Sequence, residues 1–473
     1  MIDLRNVNSI LVIGLGITGK SVIKFFRTHF SKIKIYIHDD DINKCKTPIE
    51  GEIHSNYFNC KIIPDLVFVS PGLNFDHLLI KKLQKYSCKL INDVEFFLQQ
   101  VDKNALIIAI TGSNGKSTTA SLLQNILGQN YGLCGNIGQS PLALINAKLK
   151  GYIIEISSAQ LMLIQSIHRI NIGILTNITP NHLDFHHNME EYCKVKAKIL
   201  YANKAFTCAN DANITNLLAQ MNNTSNITLF SANEILSNGY SMIDSTLYIN
   251  GNAIVNECYA KNVPSEALLI SAAIAHSINF SSKHIIDGIK SFKGLPHRTE
   301  LIYISSNILC INDSKSTTIA ATIFAIKYCK NEYHDRTIIL IIGGGDKKKQ
   351  NFSSLKIHLQ GISYVYVTGE CKERMYQSIT SQDQITDVFT DVLQTNNLNS
   401  AYTLQTNGNF AYELQIETSL EEILRKVSSK ISKNLKYCIL FSPGCESYDQ
   451  YQNFEHRGQT FRNLCTNILK QNK

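Results

Sequence analysis

Short apolar runs that end in small or polar residues recur along the chain and predict buried strands. The first block, residues 1–100, opens with such a strand, Ser9–Ile13, which leads into the Gly-rich turn Gly14–Gly19 and a helix. Lys34–Ile37 and Leu66–Val69 are further strands, and a helix over Val94–Gln100 closes the block. Strands that alternate with helices indicate a parallel sheet, in which ligands bind at the carboxyl ends of the strands.

The second block, residues 101–296, repeats this pattern with longer apolar runs. A strand over Ala105–Ile108 opens it, and the runs Gly151–Ile156 and Asn171–Thr176 end in polar residues. Runs of this kind fit a buried parallel sheet with chemistry at its carboxyl edge. Residues 210–262 are rich in Asn, with short alternating segments that suggest a surface β-region rather than core.

A third block follows over residues 297–473 and has the same alternation of strands and helices. Its candidate strands are Thr337–Ile342, Tyr364–Val367 and Tyr437–Phe441. A chain of 473 residues is too long for one ordinary core, so several α/β domains are expected.

Composition narrows the class of protein. The net charge of +8 suits a polyanionic partner such as a nucleotide. The sequence lacks the dense basic block with interleaved aromatic residues that would predict nucleic-acid binding, so we expect no nucleic-acid partner. Thirteen cysteines without a C-x-x-C pair argue against a disulfide framework and a zinc ribbon. Because the start lacks a signal-peptide pattern and no apolar run nears the roughly 20 residues of a membrane span, we expect a cytoplasmic protein without membrane contact.

The turn Gly14–Gly19 has the pattern G-x-G-x-x-G, which alone is weak evidence. Its glycines allow a phosphate to approach the backbone at a helix N-terminus, or simply permit tight packing of strand and helix. Asp39 at the end of the next strand also fits a nicotinamide cofactor. This turn leaves a dinucleotide, another nucleotide and no ligand open.

The stretch Thr111–Thr118, TGSNGKST, is stronger because it joins an apolar strand to a helix. It lacks the first glycine of the common nucleotide-binding loop, since Ile110 stands there. Successive backbone N–H groups of such a loop can wrap a β-phosphate. Lys116 would reach the β- and γ-phosphate oxygens, and the Ser117 hydroxyl would bind Mg²⁺.

Three later stretches supply what a phosphate site still lacks. Glu155 ends a strand in EISSAQL and offers a carboxylate to Mg²⁺. His182 follows a strand in TNITPNHLD, beside Asn and Asp. Lys196 and Lys198 lie on a helix predicted over Glu190–Asn203.

Together these stretches resemble the Mur ligases. The resemblance rests on the loop, EISSAQL, NHLD, the helical lysine, LPHR, NDSKST and SPGCESYDQYQNFEHRG, in that order from the first strand to about Arg462. It implies an α/β protein of three domains. These are an N-terminal Rossmann-like UDP-substrate-binding domain over residues 1–100, a central P-loop ATPase-like domain with a parallel sheet over residues 101–296, and a C-terminal Rossmann-like domain that binds the amino acid over residues 297–473.

The resemblance also implies a set of site residues. Those expected at ATP are Gly112, Ser113, Asn114, Gly115, Lys116, Ser117, Thr118, Arg298 and Asp313. Those expected at the UDP substrate are Ile17, Thr18, Asp39, Gly72, Asn136, Ser157, Ser158, Gln160 and His182. Those expected at D-glutamate are Lys315, Thr317, Lys347, Lys348, Ser447 and Phe454. The metal ligands implied are Ser117, Glu155, His182 and Lys196, and the catalytic residues are Lys116, His182 and Lys196.

The resemblance leaves two lysine assignments to be made, and this chain differs from the family pattern at one point. A carbamylated lysine joins the Mg²⁺ site in this family, and the pattern Y-x-x-x-K-x-x-I from Tyr192 selects Lys196, with Lys198 as the alternative. Lys347 and Lys348 both remain candidates for the lysine near D-glutamate. Where the family tends to have Thr-Arg after Asp39, this chain has Asp40-Asp41.

The implied activity is ATP-driven formation of an amide between D-glutamate and a UDP-linked muramoyl-alanine, through an acyl phosphate. ATP and Mg²⁺ are the expected cofactors, and we expect a monomer. Three alternatives are a folylpolyglutamate-type ligase, a nicotinamide-dependent oxidoreductase built on Gly14–Gly19, and a non-catalytic nucleotide-binding module. The oxidoreductase would leave residues 111–118 unexplained, and the folylpolyglutamate-type ligase is expected to lack both the first block's turn and NFEHRG.

Overall fold

The computed structural model describes residues 2–45, 53–54, 63–181, 183–260, 263–346, 350–380, 402–406 and 410–469. The chain divides into two compact units, Met1–Lys293 and Gly294–Lys473. The first unit contains two sheets and the second contains one. The predicted positions His182, Lys347 and Lys348 lie outside the described residues.

The first sheet has five parallel strands in the order β3-β2-β1-β4-β5. Its strands are β1 (Ser9–Ile13), β2 (Lys34–His38), β3 (Ile53–His54), β4 (Leu66–Val69) and β5 (Leu90–Ile91). Its helices are α1 (Ile17–His29), α2 (Ile42–Cys45), α3 (Leu78–Lys85) and α4 (Asp93–Gln100). The chain runs from β1 to β2 and β3 on one side, and then returns to β4 and β5 on the other side of β1. The turn after β1 therefore lies at the switch point where doubly wound sheets bind ligands.

The second sheet has nine strands in the order β14-β13-β12-β11-β10-β9-β6-β8-β7. Its strands are β6 (Leu106–Thr111), β7 (Tyr131–Gly135), β8 (Gly151–Glu155), β9 (Ile172–Leu175), β10 (Lys204–Cys208), β11 (Ile227–Ser231), β12 (Tyr240–Ile243), β13 (Thr246–Ile249) and β14 (Asn252–Val255). Its helices are α5 (Lys116–Leu127), α6 (Pro141–Leu144), α7 (Ser158–Leu163), α8 (Leu183–His186), α9 (Met189–Ala197), α10 (Ala212–Ala219), α11 (Ser265–Ser277) and α12 (Ser282–Ser291). The strands from β7 to β12 are parallel, and β6 lies between β8 and β9.

Two expectations for this region differ from the structure. The helix predicted over Glu190–Asn203 ends at Ala197 and continues as a 3₁₀ turn, Lys198–Tyr201. The segment predicted as a surface β-region instead extends the central sheet through β11–β14, where Met242 and Leu247 are buried. Short strands with apolar residues on one face only have the same sequence pattern whether they lie on a surface or at the end of a larger sheet.

The two sheets of the first unit share one hydrophobic core. Phe97 on α4 packs edge-to-face on Tyr152 of β8, with ring centroids 5.0 Å apart. The buried carboxylate of Glu95 accepts hydrogen bonds from the backbone N–H groups of Gln165 and Ser166, both at 3.0 Å. The predicted boundary between residues 100 and 101 falls between α4 and β6, inside this compact unit, and the division into three domains stays a prediction.

The second unit has seven strands in the order β15-β16-β21-β17-β18-β20-β19. Its strands are β15 (Glu300–Tyr303), β16 (Ile308–Asn312), β17 (Thr337–Gly343), β18 (Tyr364–Thr368), β19 (Tyr402–Thr406), β20 (Phe410–Ile416) and β21 (Tyr437–Phe441). Its helices are α13 (Ile319–Glu332), α14 (Lys372–Thr380), α15 (Leu420–Lys430) and α16 (Phe454–Leu464). The five strands from β16 to β20 run parallel, and β15 and β19 are antiparallel edges.

The remaining helical turns are short. The other 3₁₀ turns are Leu4–Asn6, Ile167–Arg169 and Ser353–His358, and the π-helical turn Cys465–Leu469 follows α16. In the part of the chain that the structure describes, no helix is long and apolar enough to cross a membrane.

Candidate active site

The stretch TGSNGKST forms a tight loop between β6 and α5, at the carboxyl end of a strand that lies inside the nine-stranded sheet. Gly112 has φ +151°, and a Cβ added there would lie 1.8 Å from the Thr176 hydroxyl oxygen. Gly115 has φ +79° and precedes the first residue of α5, Lys116. Both glycines are therefore required by the backbone, since an L side chain at either would be strained.

The loop is held in place by the segment that follows β9. The backbone N–H of Asn114 donates to Asn177 Oδ1 at 2.9 Å, and Thr176 Oγ1 donates to the Asn114 carbonyl at 2.8 Å. Ser113 Oγ donates to the Thr179 carbonyl at 2.9 Å. These bonds between protein groups tie the loop to the segment after β9.

Two lysine amines converge on the carbonyls of this loop. Lys116 Nζ donates to the carbonyls of Gly112 at 2.8 Å and of Ser113 at 3.0 Å. Lys196 Nζ donates to the same Gly112 carbonyl at 2.8 Å and lies 3.3 Å from Thr111 Oγ1. Helix α9 thus brings the Lys196 amine to the loop, while the role of Lys196 stays a prediction.

Lys196 is the more unusual of the two, because its side chain is almost completely buried. Burial, reinforced by the nearby Lys116 ammonium, lowers the pKa of Lys196 well below its ordinary value, while Glu155 opposes this. A buried amine with a lowered pKa spends more time neutral, which is the state that can react with CO₂.

Lys198, the alternative candidate, lies elsewhere. Its Nζ donates to the carbonyls of Leu161 and Met162, each at 3.0 Å, at the C-terminus of α7. A cation at the last carbonyls of a helix stabilises that helix. Burial also lowers the pKa of Lys198, but Lys198 is only half-buried and contacts α7 rather than the loop.

The donor set expected for Mg²⁺ fits the residues present. Glu155 is buried at the end of β8, and its Oε1 accepts a hydrogen bond from Asn136 Nδ2 at 2.9 Å. Among the described residues, Glu155 Oε2 is buried without a hydrogen-bond partner, which is costly for a carboxylate oxygen unless a cation binds it. Ser117 is buried at the N-terminus of α5.

A histidine that the sequence did not single out lies near the expected substrate end. His186, on α8, is fully buried, and its Nε2 lies 2.8 Å from Ser158 Oγ. The prediction selected His182 for its place after a strand. The sequence carries only a weak signal for His186, namely its position four residues after His182 in a short helix.

Ser157 and Gln160, two residues expected at the substrate, form a capping box that starts α7. The Gln160 backbone N–H donates to Ser157 Oγ at 3.2 Å, and Ser157 N–H donates to Gln160 Oε1 at 3.0 Å. Nearby, burial raises the pKa of Asp93 to about 6. The Asn92 side chain ties the start of α4 to α7, since its Nδ2 donates to the Gln160 backbone carbonyl at 2.7 Å.

The turn after β1 is supported by an acidic side chain. Asp39 Oδ2 accepts a hydrogen bond from the Leu15 backbone N–H at 2.7 Å. Ser70 Oγ donates to the Gly14 carbonyl at 2.9 Å. Ile17 at the start of α1 is 88% exposed, and Gly72 lies in the turn after β4. The residues expected to receive the uridine diphosphate thus share one edge of the first sheet.

In the second unit, Asp313 follows β16 and is buried. Its carboxylate accepts hydrogen bonds from Ser442 Oγ at 2.7 Å and from the Thr299 backbone N–H at 3.0 Å. Burial raises the pKa of Asp313 to about 6 despite these bonds and the nearby Arg298 guanidinium.

The residues expected at D-glutamate come from two separate segments that the structure brings together. Lys315 Nζ lies 3.5 Å from the centroid of the Phe454 ring, a cation–π contact. Ser447, in the loop after β21, is buried, and Thr317 is half-buried.

Arg457 organises this region and was not assigned a role from the sequence. Its guanidinium is buried and donates to the carbonyls of Ser314 at 2.8 Å, Cys445 at 3.0 Å and Glu446 at 2.9 Å. Burial lowers the pKa of Arg457 to about 10. Arg457 thereby ties NDSKST and SPGCES to α16. Its burial distinguishes it from a surface arginine, and burial is not evident from the sequence.

Two family models match parts of the chain. Residues 8–92 match the family described as the Mur ligase MurD-like N-terminal domain, and residues 110–241 match the Mur ligase middle domain. A UDP-N-acetylmuramoylalanine--D-glutamate ligase of Rickettsia bellii is 32% identical over 480 residues, covering 96% of each chain. The chain belongs to the Mur ligase family. A protein of the same name from Buchnera aphidicola subsp. Baizongia pistaciae is 31% identical, covering 97% of this chain and 98% of its own.

Solved Mur ligases share the fold. The UDP-N-acetylmuramate-alanine ligase MurC of Thermotoga maritima has a TM-score of 0.59 at 16% identity, with 96% of this chain and 98% of its own covered. The MurF ligase of the same organism, solved in complex with ADP, has a TM-score of 0.58 at 14% identity, with 100% and 98% covered. The predicted α/β Mur ligase fold class and the predicted Mur ligase resemblance are both confirmed. The oxidoreductase and folylpolyglutamate alternatives are not supported, and the bounds of the three domains stay a prediction.

Proposed function

We propose that this protein uses ATP to join D-glutamate to UDP-N-acetylmuramoyl-L-alanine, as a cytoplasmic monomer that makes a peptidoglycan precursor. The names of its full-length relatives supply the substrates. The observation that carries the chemistry is the buried Lys196 amine on the carbonyl of Gly112, beside the Lys116 amine. Lys116 thereby places positive charge at the phosphate loop, and Lys196 beside it offers an amine whose lowered pKa favours the neutral form.

In the proposed reaction, a carboxylate oxygen of the muramoyl-alanine attacks the γ-phosphorus of ATP, and the bond to the β-phosphate oxygen breaks to release ADP. The D-glutamate amine then attacks the acyl carbon, loses a proton, and displaces phosphate. Activation is needed because a free carboxylate is a poor acyl donor. Lys116 offsets the negative charge that develops during phosphoryl transfer.

Ser117, Glu155 and His182 would hold Mg²⁺, and the unpartnered Glu155 Oε2 fits this assignment. The ion would supply positive charge against the phosphates. We assign carbamylation to Lys196, in which the neutral amine nitrogen bonds to the carbon of CO₂ and releases a proton. Moving a lysine pKa toward neutrality takes about 1.4 kcal/mol per unit, and burial of Lys196 lowers the pKa in this direction.

D-glutamate would bind to the second unit. Lys315, Thr317, Ser447 and either Lys347 or Lys348 offer donors for its carboxylates, and Phe454 offers an apolar wall. Arg298 and Asp313 would contact the nucleotide. A shorter or uncharged amino acid would leave buried donors unpaired, at about 1–3 kcal/mol each, which gives strong discrimination.

The test is ATP-dependent phosphate release with UDP-N-acetylmuramoyl-L-alanine and a panel of amino acids. We expect D-glutamate to be strongly preferred over L-glutamate and D-alanine. Ser447→Ala should raise the KM for D-glutamate about tenfold and leave the KM for ATP nearly unchanged, whereas the exposed Ser429→Ala should change neither. Efficient use of L-alanine, L-lysine or meso-diaminopimelate would assign another member of the family, and activity with a folate and L-glutamate would refute the proposal.

A further inference from the structure

Three potential metal ligands meet at the edge of the first sheet, apart from the ATP loop. His38 is the last residue of β2, Asp40 follows it in the turn, and His77 immediately precedes α3. Asp40 Oδ1 lies 3.1 Å from His77 Nε2 and 3.5 Å from His38 Nε2. All three ligand atoms lie within 4.8 Å of one another.

The two separations from Asp40 suit a tetrahedral ion. Zn²⁺ binds histidine nitrogen and carboxylate oxygen at about 2.0–2.1 Å, so tetrahedral ligand atoms are about 3.3 Å apart. The two distances to Asp40 bracket that value. The Asp40 side chain is 65% exposed, while those of His38 and His77 are 12% and 21% exposed. The cluster is therefore open on one side, where a water molecule would complete the coordination.

We propose that His38, Asp40 and His77 form a binding site for a divalent transition-metal ion, with Zn²⁺ as the best fit. Two imidazoles and one carboxylate favour such an ion over Mg²⁺, which prefers oxygen ligands in octahedral geometry. This site is separate from the one that Ser117 and Glu155 would provide for Mg²⁺, and it does not depend on the proposed function.

Binding requires one small rearrangement at His77. Its Nδ1 now accepts a hydrogen bond from the Leu79 backbone N–H at 3.3 Å, which places the ring proton on Nε2, facing Asp40. A metal ion on Nε2 needs the other tautomer, with the proton on Nδ1. The ring stays neutral, and the lost contact with Leu79 is long and therefore weak.

The ion would connect two segments that flank the Gly-rich turn. In the sheet, β2 and β4 lie on either side of β1, so the site joins the turn after β2 to the start of the helix that follows β4. The His38 carbonyl accepts the Gly14 backbone N–H at 2.8 Å. A divalent ion with Asp40 carries a net charge of +1 beside this turn.

The experiment uses the full-length protein after treatment with EDTA and dialysis. Titration calorimetry with ZnCl₂ should show one site, and Asp40→Asn and His77→Gln should each weaken it at least about tenfold. Asp40→Asn is the safer variant because the side chain is exposed. Asp76→Asn removes a neighbouring carboxylate that is outside the cluster, and it should leave the affinity unchanged.

A second measurement identifies the ligands, because the chain has thirteen cysteines that could also bind zinc. Substituting Co²⁺ should give the visible absorption of a tetrahedral nitrogen–oxygen site and raise the thermal midpoint of the wild type but not of His77→Gln. Zinc affinity that is unchanged in both cluster variants, or a thiolate charge-transfer band as the only cobalt signal, would overturn the proposal.

Discussion

Two turns in the first compact unit contain the same tripeptide, Gly-Lys-Ser, at residues 19–21 and 115–117. In the first turn, α1 begins at Ile17, so Lys20 is the fourth residue of the helix, its backbone N–H donates to the Gly16 carbonyl at 3.1 Å, and its side chain is exposed. In the second turn, Lys116 is the first residue of α5 and folds back over the loop. The position of the lysine relative to the helix N-terminus decides whether it can reach a phosphate.

The two turns also differ in charge. A carboxylate, Asp39, supports the first by accepting a backbone N–H, whereas the amines of Lys116 and Lys196 crowd the carbonyls of the second. A Gly-rich turn between a strand and a helix can therefore hold either a diphosphate that stays intact or a phosphate that is transferred. Only the second turn has the positive charge that phosphoryl transfer needs.

The largest expected effect is that of Lys116→Ala, which removes the charge opposite the transferred phosphate. We expect kcat to fall on the order of 10³-fold in a folded protein. The matched control is Lys20→Ala, from the other Gly-Lys-Ser, which should leave the KM for ATP unchanged. Steady-state phosphate release measures both, and near-normal turnover in Lys116→Ala would remove the distinction between the turns.

Lys196→Ala should lower kcat on the order of 10²-fold, because it removes the group assigned to carbamylation. Acetate at high concentration should restore part of the activity by offering a carboxylate in its place. Lys198→Ala should affect the packing of α7 more than turnover. If Lys198→Ala instead shows the loss and the rescue by acetate, the assignment belongs to Lys198.

Asp39→Ala tests the acidic support of the first turn. Without the carboxylate the Leu15 N–H loses its acceptor, at a cost of about 1–3 kcal/mol, so the KM for the UDP substrate should rise about tenfold while that for ATP stays constant. The exposed Asp41→Ala is the control. An equal rise in both KM values would mean that the substitution disturbs the whole unit.

Lys196→Met should stabilise the protein, by about 1–3 kcal/mol at pH 7 in CO₂-free buffer. The pKa of Lys196 is lower in the folded protein than in the unfolded chain. At pH values below the ordinary lysine pKa, the unfolded chain therefore binds more protons than the folded protein does. The resulting penalty in the wild type grows as pH falls below about 10 and stays constant below the folded pKa. The gain measured by urea unfolding should therefore be smaller at pH 9 than at pH 7.

For that measurement Lys20→Met is the control, since substitution of an exposed side chain changes stability by about 0.5 kcal/mol or less. A gain that is independent of pH between 7 and 9 would contradict a lowered pKa for Lys196. A loss of stability would show that its hydrogen bonds to the loop outweigh the cost of burying the amine.

Much of the fold was predictable because apolar runs and glycines are local signals. The strand before Thr111, the loop and the start of α5 are all evident from the order of residues, and so are the strands Ser9–Ile13 and Tyr437–Phe441, whose bounds the structure reproduces. The predicted helix over Glu190–Asn203 extended too far, because helical spacing does not reveal where an α-helix tightens into a 3₁₀ turn.

The sequence by itself determined the family, the three α/β blocks, and the residue types that phosphate chemistry needs, since these depend on short strings and their order. The tertiary structure alone decided which side chains meet. Lys196 is buried at the loop, whereas Lys198 contacts α7. Glu155 Oε2 has no hydrogen-bond partner among the described residues, and Arg457 joins three segments of the second unit. Burial and pKa depend on neighbours that are distant along the chain, and no local pattern specifies them.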